Sequence, residues 1–131
     1  MMKKSLTLLS LIGICSLLIS CASSNFIPKG SQPLGTYEGH ADEISKNIGR
    51  IRVRIYQTET GDKLFIGFFE TSRGVAMDFK GKLKGTKLVG KFDSDRGDVS
   101  GQLSPDGSQI TGTYFFTESK SAGAWQAERK N

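Results

Sequence analysis

From Gly35 to Arg129 the chain consists of short runs in which apolar and polar residues alternate, each run closed by turn residues. Within it a glycine returns every eleven residues, at Gly90, Gly101, Gly112 and Gly123. That interval fits one strand plus one turn, and no stretch sustains a helical period for three turns. The pattern predicts an all-β domain with eight strands near 35–40, 49–57, 63–70, 75–83, 87–93, 98–104, 109–116 and 122–129. Consecutive strands on short turns make a meander, and eight of them suit a small closed antiparallel up-and-down barrel. Closure would also remove the exposed sheet edges.

Turn positions predict a register. A turn around Thr60-Gly61 sets Ile55 against Ile66 and Val53 against Phe68. A loop from Thr71 to Gly74 sets Phe68 against Met77 and Ile66 against Phe79. Further on, Leu83 meets Leu88, Phe79 meets Phe92, Phe92 meets Val99, and Leu103 meets Ile110. Apolar faces apolar throughout, whereas a slip of one residue turns a strand inside out. Ile51, Val53, Ile55, Leu64, Ile66, Phe68, Val75 and Met77 therefore belong to the expected interior, which their bulk and that of later strands largely fills. The same pairing lays Gly81, Gly90, Gly101 and Gly112 side by side, with Gly123 next. Such a row either lets the sheet coil or records a repeated hairpin, and it leaves room for a slot.

The first twenty residues follow a different rule. Lys3 and Lys4 precede an apolar run from Leu6 to Ile19, too short for a comfortable membrane span of roughly 20 apolar residues. The run ends in Leu18-Ile19-Ser20-Cys21. Basic start, apolar core and this tetrapeptide together resemble the signal peptide and lipobox of bacterial lipoproteins. The resemblance implies cleavage before Cys21, a diacylglycerol on its thiol and an acyl group on its new amino terminus. Several acyl chains give stable attachment to a membrane. Ala22 after the cysteine, where aspartate marks inner-membrane retention, implies the outer membrane of a Gram-negative host. The expected organisation is a cleaved segment 1–20, a lipidated cysteine and flexible tether 21–34, and a β-barrel domain 35–131. The tether's Ser, Pro, Gly and Asn content suits a linker, while its Phe26 and Ile27 either dock on the barrel or stay exposed. Cys15 leaves with the signal segment, so the expected mature chain forms no internal disulfide and its core must suffice.

Chemistry has few residues to draw on. His40 is the only histidine, the expected mature chain keeps no free thiol, and no nucleophile elbow occurs, so no enzyme activity, catalytic residue or metal site is expected. Asp93, Asp95 and Asp98 flank one turn but lack the rest of a calcium loop. No cofactor is expected beyond the covalent lipid at Cys21. Without Lys3 and Lys4 the chain carries 16 basic against 13 acidic residues, a modest excess that suits anionic lipid or glycan and does not single out nucleic acid.

The suggestive surface lies on strands two to four. Arg50, Arg52 and Arg54 alternate with interior positions and point outward together, followed by Tyr56. Under the expected register Phe65 and Phe69 also face outward, with Lys80 and Lys82 alongside and Arg54 near Asp78. Rings among cations make a candidate binding face for an anionic glycan, a lipid headgroup or an envelope protein. The alternative is a solvated strand face whose arginine stems cover the rings. The expected function is a membrane-anchored, non-enzymatic binding barrel of the cell envelope. The meander, the Gly-x-aromatic repeats and the ending Gly123-Ala124-Trp125-Gln126-Ala127-Glu128-Arg129 resemble lipocalin-type and avidin-like barrels, which implies a hydrophobic-ligand carrier as a second reading. A third is an inhibitor of lysozyme type, although Ser72-Arg73-Gly74-Val75-Ala76-Met77 departs from that family's Ser-Gly-x-x-Tyr loop. A purely structural envelope role is a fourth.

Overall fold

A computed structural model describes residues 26–42, 48–71 and 74–130, which form one closed barrel of eight antiparallel strands in chain order. The strands are β1 (Gln32–Asp42), β2 (Ile48–Gln57), β3 (Lys63–Glu70), β4 (Ala76–Lys84), β5 (Lys87–Phe92), β6 (Gly97–Leu103), β7 (Gln109–Phe116) and β8 (Ser121–Arg129). A short 3-10 turn, Asp93–Asp95, joins β5 to β6. β8 closes the wall against β1, with Tyr37 opposite Arg129 and Ala41 opposite Trp125. The eight expected strands are all present. β1 starts three residues before its expected limit, so Pro33 and Leu34 join the wall and not the tether. Cys21 and the segment resembling a lipoprotein signal lie outside the described residues.

The interior is packed with side chains from every strand. Ile51, Val53 and Ile55 on β2 are buried as expected, together with Tyr37, Phe79, Leu88, Val99, Ile110 and Trp125. One end of the barrel is aromatic. Phe92 and Phe116 lie 4.9 Å apart between ring centres, Tyr114 and Phe116 5.2 Å, and Phe69 and Tyr114 5.5 Å. These tilted contacts suit the charge distribution of aromatic rings. The polar tips of the buried tyrosines are satisfied by backbone. The Tyr37 hydroxyl donates to the Gly107 carbonyl at 2.7 Å, and that of Tyr114 donates to the Asp42 carbonyl.

The register departs from expectation at β3. Ile55 faces Phe65, Val53 faces Gly67 and Ile51 faces Phe69, and on the other side Phe69 faces Met77. The cause is loop length. Thr58 N–H donates to Asp62 O and Gly61 N–H donates to Thr58 O, so three residues close the hairpin, with Gly61 at φ 96°. The β3–β4 connection repeats the device, with Thr71 N–H donating to Val75 O and Gly74 at φ 87°. Three-residue hairpin loops of this kind place their last residue in the left-handed region, where glycine alone is unstrained. One residue more than a two-residue turn reverses the face of β3. Phe65 and Phe69, expected outside, are buried at 0% and 1% exposure, while Phe68, expected inside, is 40% exposed. Ile66 also moves to the outer wall, where it is half-buried, and Val75 is exposed outside the strands.

The glycine row is divided. Gly81 pairs with Gly90 and Gly101 with Gly112, but Val99 pairs with Gly90 and Trp125 with Gly112. The β5–β6 connection, with Ser94 and Asp95 both at positive φ, shifts the register by two residues and so preserves the faces. Each glycine pair is roofed by a ring. The Phe65 ring stands where side chains of Gly81 and Gly90 would go, and the Trp125 indole does the same over Gly101 and Gly112. Backbone also crowds these positions, since a Cβ on Gly81 would lie 2.1 Å from the Val89 carbonyl oxygen. The room left by the glycines thus goes to close strand approach and to aromatic rings, the pairing seen when rings cover bare sheet.

Candidate functional site

The outer wall carries a groove of about 450 Å³ across β8, β1, β2 and β3. Two transverse rows of side chains line it. Register places Gln126, His40, Arg50 and Glu70 in one row and Glu128, Glu38, Arg52 and Phe68 in the next. Lys130 and Ile51 also line it. At the floor, Gly39 opposes Ala127, and a Cβ on Gly39 would lie 1.9 Å from the Gln126 carbonyl oxygen. β8 therefore approaches β1 more closely there than any side chain would permit.

Charges in the groove are balanced. Arg50 donates to Glu70 at 2.9 Å, reaching forward to β3, and Arg52 pairs with Glu38 at 3.1 Å, reaching back to β1. The two guanidinium groups thus diverge along their strand. Glu38 and Glu128 stand directly opposite each other on β1 and β8, a like-charge pair that strains the sheet unless a cation intervenes. Arg52 supplies one cation to Glu38, whereas Glu128 has no ion pair among the described residues. Phe68 brings an exposed apolar ring to the end of its row, beside Arg52 and opposite Asp78. Burial and, secondarily, the Asp93 carboxylate push the Asp78 carboxyl above its usual range.

The residues expected on the binding face are therefore divided. Arg50 and Arg52 line the groove, while Arg54 stands in the next row, opposite Ile66. Tyr56 is half-buried between Pro33 and Leu64. Phe65 and Phe69 do not belong to the face, since both are in the core. Nor does Arg54 approach Asp78 across Gly67, because Asp78 pairs with Phe68 and lies in the row of Arg52. Lys80 and Lys82 are exposed on β4, outside the groove, and the Lys80 ammonium stands 5.5 Å from the centre of the Phe26 ring. Phe26 and Ile27 are half-buried, so this end of the tether docks on the barrel. The expected lipidation site, Cys21, lies outside the described residues.

Glu38, Glu70, Gln126 and Glu128 are groove residues that sequence reasoning missed. A three-residue loop at Glu59-Thr60-Gly61 would have brought Phe68 and Glu70 to the outer face beside the arginines. For Glu128 and Gln126 the only available signal is closure of the barrel, which sets the last strand beside the first. Among the described residues no group of three or more His, Cys, Asp or Glu is placed to hold a metal ion, and Asp98 of the turn cluster is paired with Lys91 at 3.0 Å. No protein-family model matches the chain, and no curated protein matches it in sequence.

Proposed function

We propose that this protein is a lipid-anchored binding protein of the bacterial envelope that recognises a neutral or zwitterionic glycan segment in the β8–β1–β2–β3 groove, without catalysis. The anchor reading rests on the basic start, apolar run and Leu18-Ile19-Ser20-Cys21 ending of the first 21 residues. The observation that carries the binding reading is the groove itself, where an exposed ring lies beside two ion-paired arginines. A sugar presents an apolar face that packs on Phe68 and hydroxyls that bond to planar guanidinium, carboxylate and amide groups. The volume lies within the roughly 300–1,000 Å³ of small-ligand sites. Equal numbers of acidic and basic side chains favour a ligand of balanced charge over the anionic glycan first expected. The carboxylates of Glu38 and Glu70 are each ion-paired with an arginine, an arrangement that suits orientation of a polar ligand. An interior occupied by Phe65, Phe79, Phe92 and Trp125 argues against a hydrophobic-ligand carrier.

Two measurements test the reading. In cells, palmitate should label the wild-type chain and not Cys21→Ala; no label on wild type overturns the anchor, and a label on both overturns Cys21 as its site. In vitro, a chain starting at Ala22 is titrated with neutral, zwitterionic and anionic oligosaccharides. Phe68→Ala and Arg52→Ala should each weaken the best binder about tenfold or more, as expected for truncating a central contact. Binding indifferent to both substitutions excludes the groove.

A further inference from the structure

The β4–β5 hairpin concentrates positive charge on one outer face. Lys80, Lys82, Lys84, Lys87 and Lys91 are all exposed there. Lys80 stands directly opposite Lys91, and Lys84 opposite Lys87. Facing like charges destabilise a sheet, so the arrangement works against the fold unless a counter-charge arrives. Among the described residues only Lys91 has an acidic partner, Asp98 at 3.0 Å. Val89 lies among them at 49% exposure, opposite Lys82. The end of the tether lands on the same face, with Phe26 against Lys80. From Phe26 back to Cys21 is five residues, which span at most about 18 Å when fully extended.

We propose that the outer face of β4 and β5 is a docking surface for a bilayer containing anionic phospholipid. The proposal rests on the lipid-anchor reading above, because that reading puts the acyl chains within five residues of the lysine face. A short tether holds the face at the membrane, and its charge complements the negative surface potential. Val89 and the lysine stems supply the apolar contact that interfacial binding also uses. The groove, about three strands round an eight-strand wall, then faces roughly 135° away from the bilayer and stays open to its ligand.

The test separates charge from acylation by using the unlipidated chain that starts at Ala22. This chain holds all eight strands and the β8–β1 closure. It should sediment with vesicles of phosphatidylcholine plus phosphatidylglycerol, not with phosphatidylcholine alone, and binding should fall as salt rises. The triple variant Lys82→Gln, Lys84→Gln, Lys87→Gln should bind roughly 100-fold less, at one lysine's electrostatic contribution per substitution. Lys120→Gln, in the β7–β8 connection, should bind as the parent does. Unchanged Trp125 emission in each variant shows that the barrel is intact. Equal binding to both vesicle types, or a triple variant that binds like the parent, overturns the docking surface. Absence of palmitate at Cys21 with vesicle binding intact overturns the anchor reading alone.

Discussion

Two aspartates, Asp78 on the outer wall and Asp106 in the β6–β7 turn, respond to protons with opposite sign. Asp78 has its pKa raised, first by burial and then by Asp93. Its proton is held more tightly in the folded chain, so the associated stability is full below the ordinary carboxylate range and is lost as pH rises through the raised value. Asp78→Asn should therefore raise the melting temperature at neutral pH, with the gain shrinking to nothing in acid. Asp106 has its pKa lowered by hydrogen bonds from the Ser108 hydroxyl and N–H and from the Ser104 hydroxyl. Here stability is present above the ordinary range and is lost as pH falls through the lowered value. Asp106→Asn should lower the melting temperature at neutral pH and converge on wild type in strong acid. Thermal melts of both variants from neutral to acid pH check the two signs together, and parallel curves would refute them. In the interior, a Cβ on Gly112 would lie 2.1 Å from the Ser100 carbonyl oxygen and 2.6 Å from the Trp125 ring. The indole N–H is fixed there by the carbonyls of Ser100 and Thr113, at 3.1 and 3.2 Å. Gly112→Ala should cost about 1–3 kcal/mol, as overpacking does, read from urea denaturation followed by Trp125 fluorescence.

At the scale of the strand, the central lesson comes from β3. Leu64, Phe65, Ile66, Phe68 and Phe69 put apolar residues on both faces, so alternation alone does not choose which face is inside. Expected contacts such as Ile55 with Ile66 satisfied apolar matching as well as the observed Ile55 with Phe65. What decides is whether the loop holds two residues or three. Elsewhere the pattern was sufficient to choose the face, since β2 offers arginine or isoleucine and valine with no ambiguity and the Leu83–Leu88 and Leu103–Ile110 pairs formed as expected, although the expected Phe92–Val99 pair gave way to Gly90–Val99. Gly61 is therefore the residue on which the identity of the outer face depends. It has φ 96° and open space around its Cα, so a methyl group there meets no neighbour and suffers only backbone strain. Gly61→Ala should destabilise the barrel by about 1 kcal/mol and Gly61→Asn by less, since asparagine tolerates the left-handed region. Equal losses in urea denaturation would mean that the loop takes another form.

The groove exists only at the scale of the whole barrel. Glu38 and Glu128 come from the first and last strands and meet because β8 closes on β1. The arginine row of β2 was legible in its own strand, but its counterions were not, because Glu38 and Glu70 arrive from the strands on either side. Local pattern therefore overstated the basic character of this face and understated that of the β4–β5 hairpin, where lysines of two strands face one another. The corrected charge distribution gives the molecule two distinct sides, and the proposed lipid anchor would point them in different directions. Under the proposed acylation of Cys21, no other thiol remains after residue 21, so a single introduced cysteine can be labelled alone. Val89→Cys places a fluorophore on the lysine face and Gln126→Cys places one at the groove, both at exposed positions. On vesicles with nitroxide-labelled headgroups and anionic lipid, the probe at 89 should be quenched and the probe at 126 should remain bright. Raising the salt concentration should let the barrel swing on its tether and bring the two signals together, because screening weakens attraction at the surface while the acyl chains remain inserted. Equal quenching at low salt would mean that the lipid holds the barrel without orienting it, and that the groove has no preferred direction.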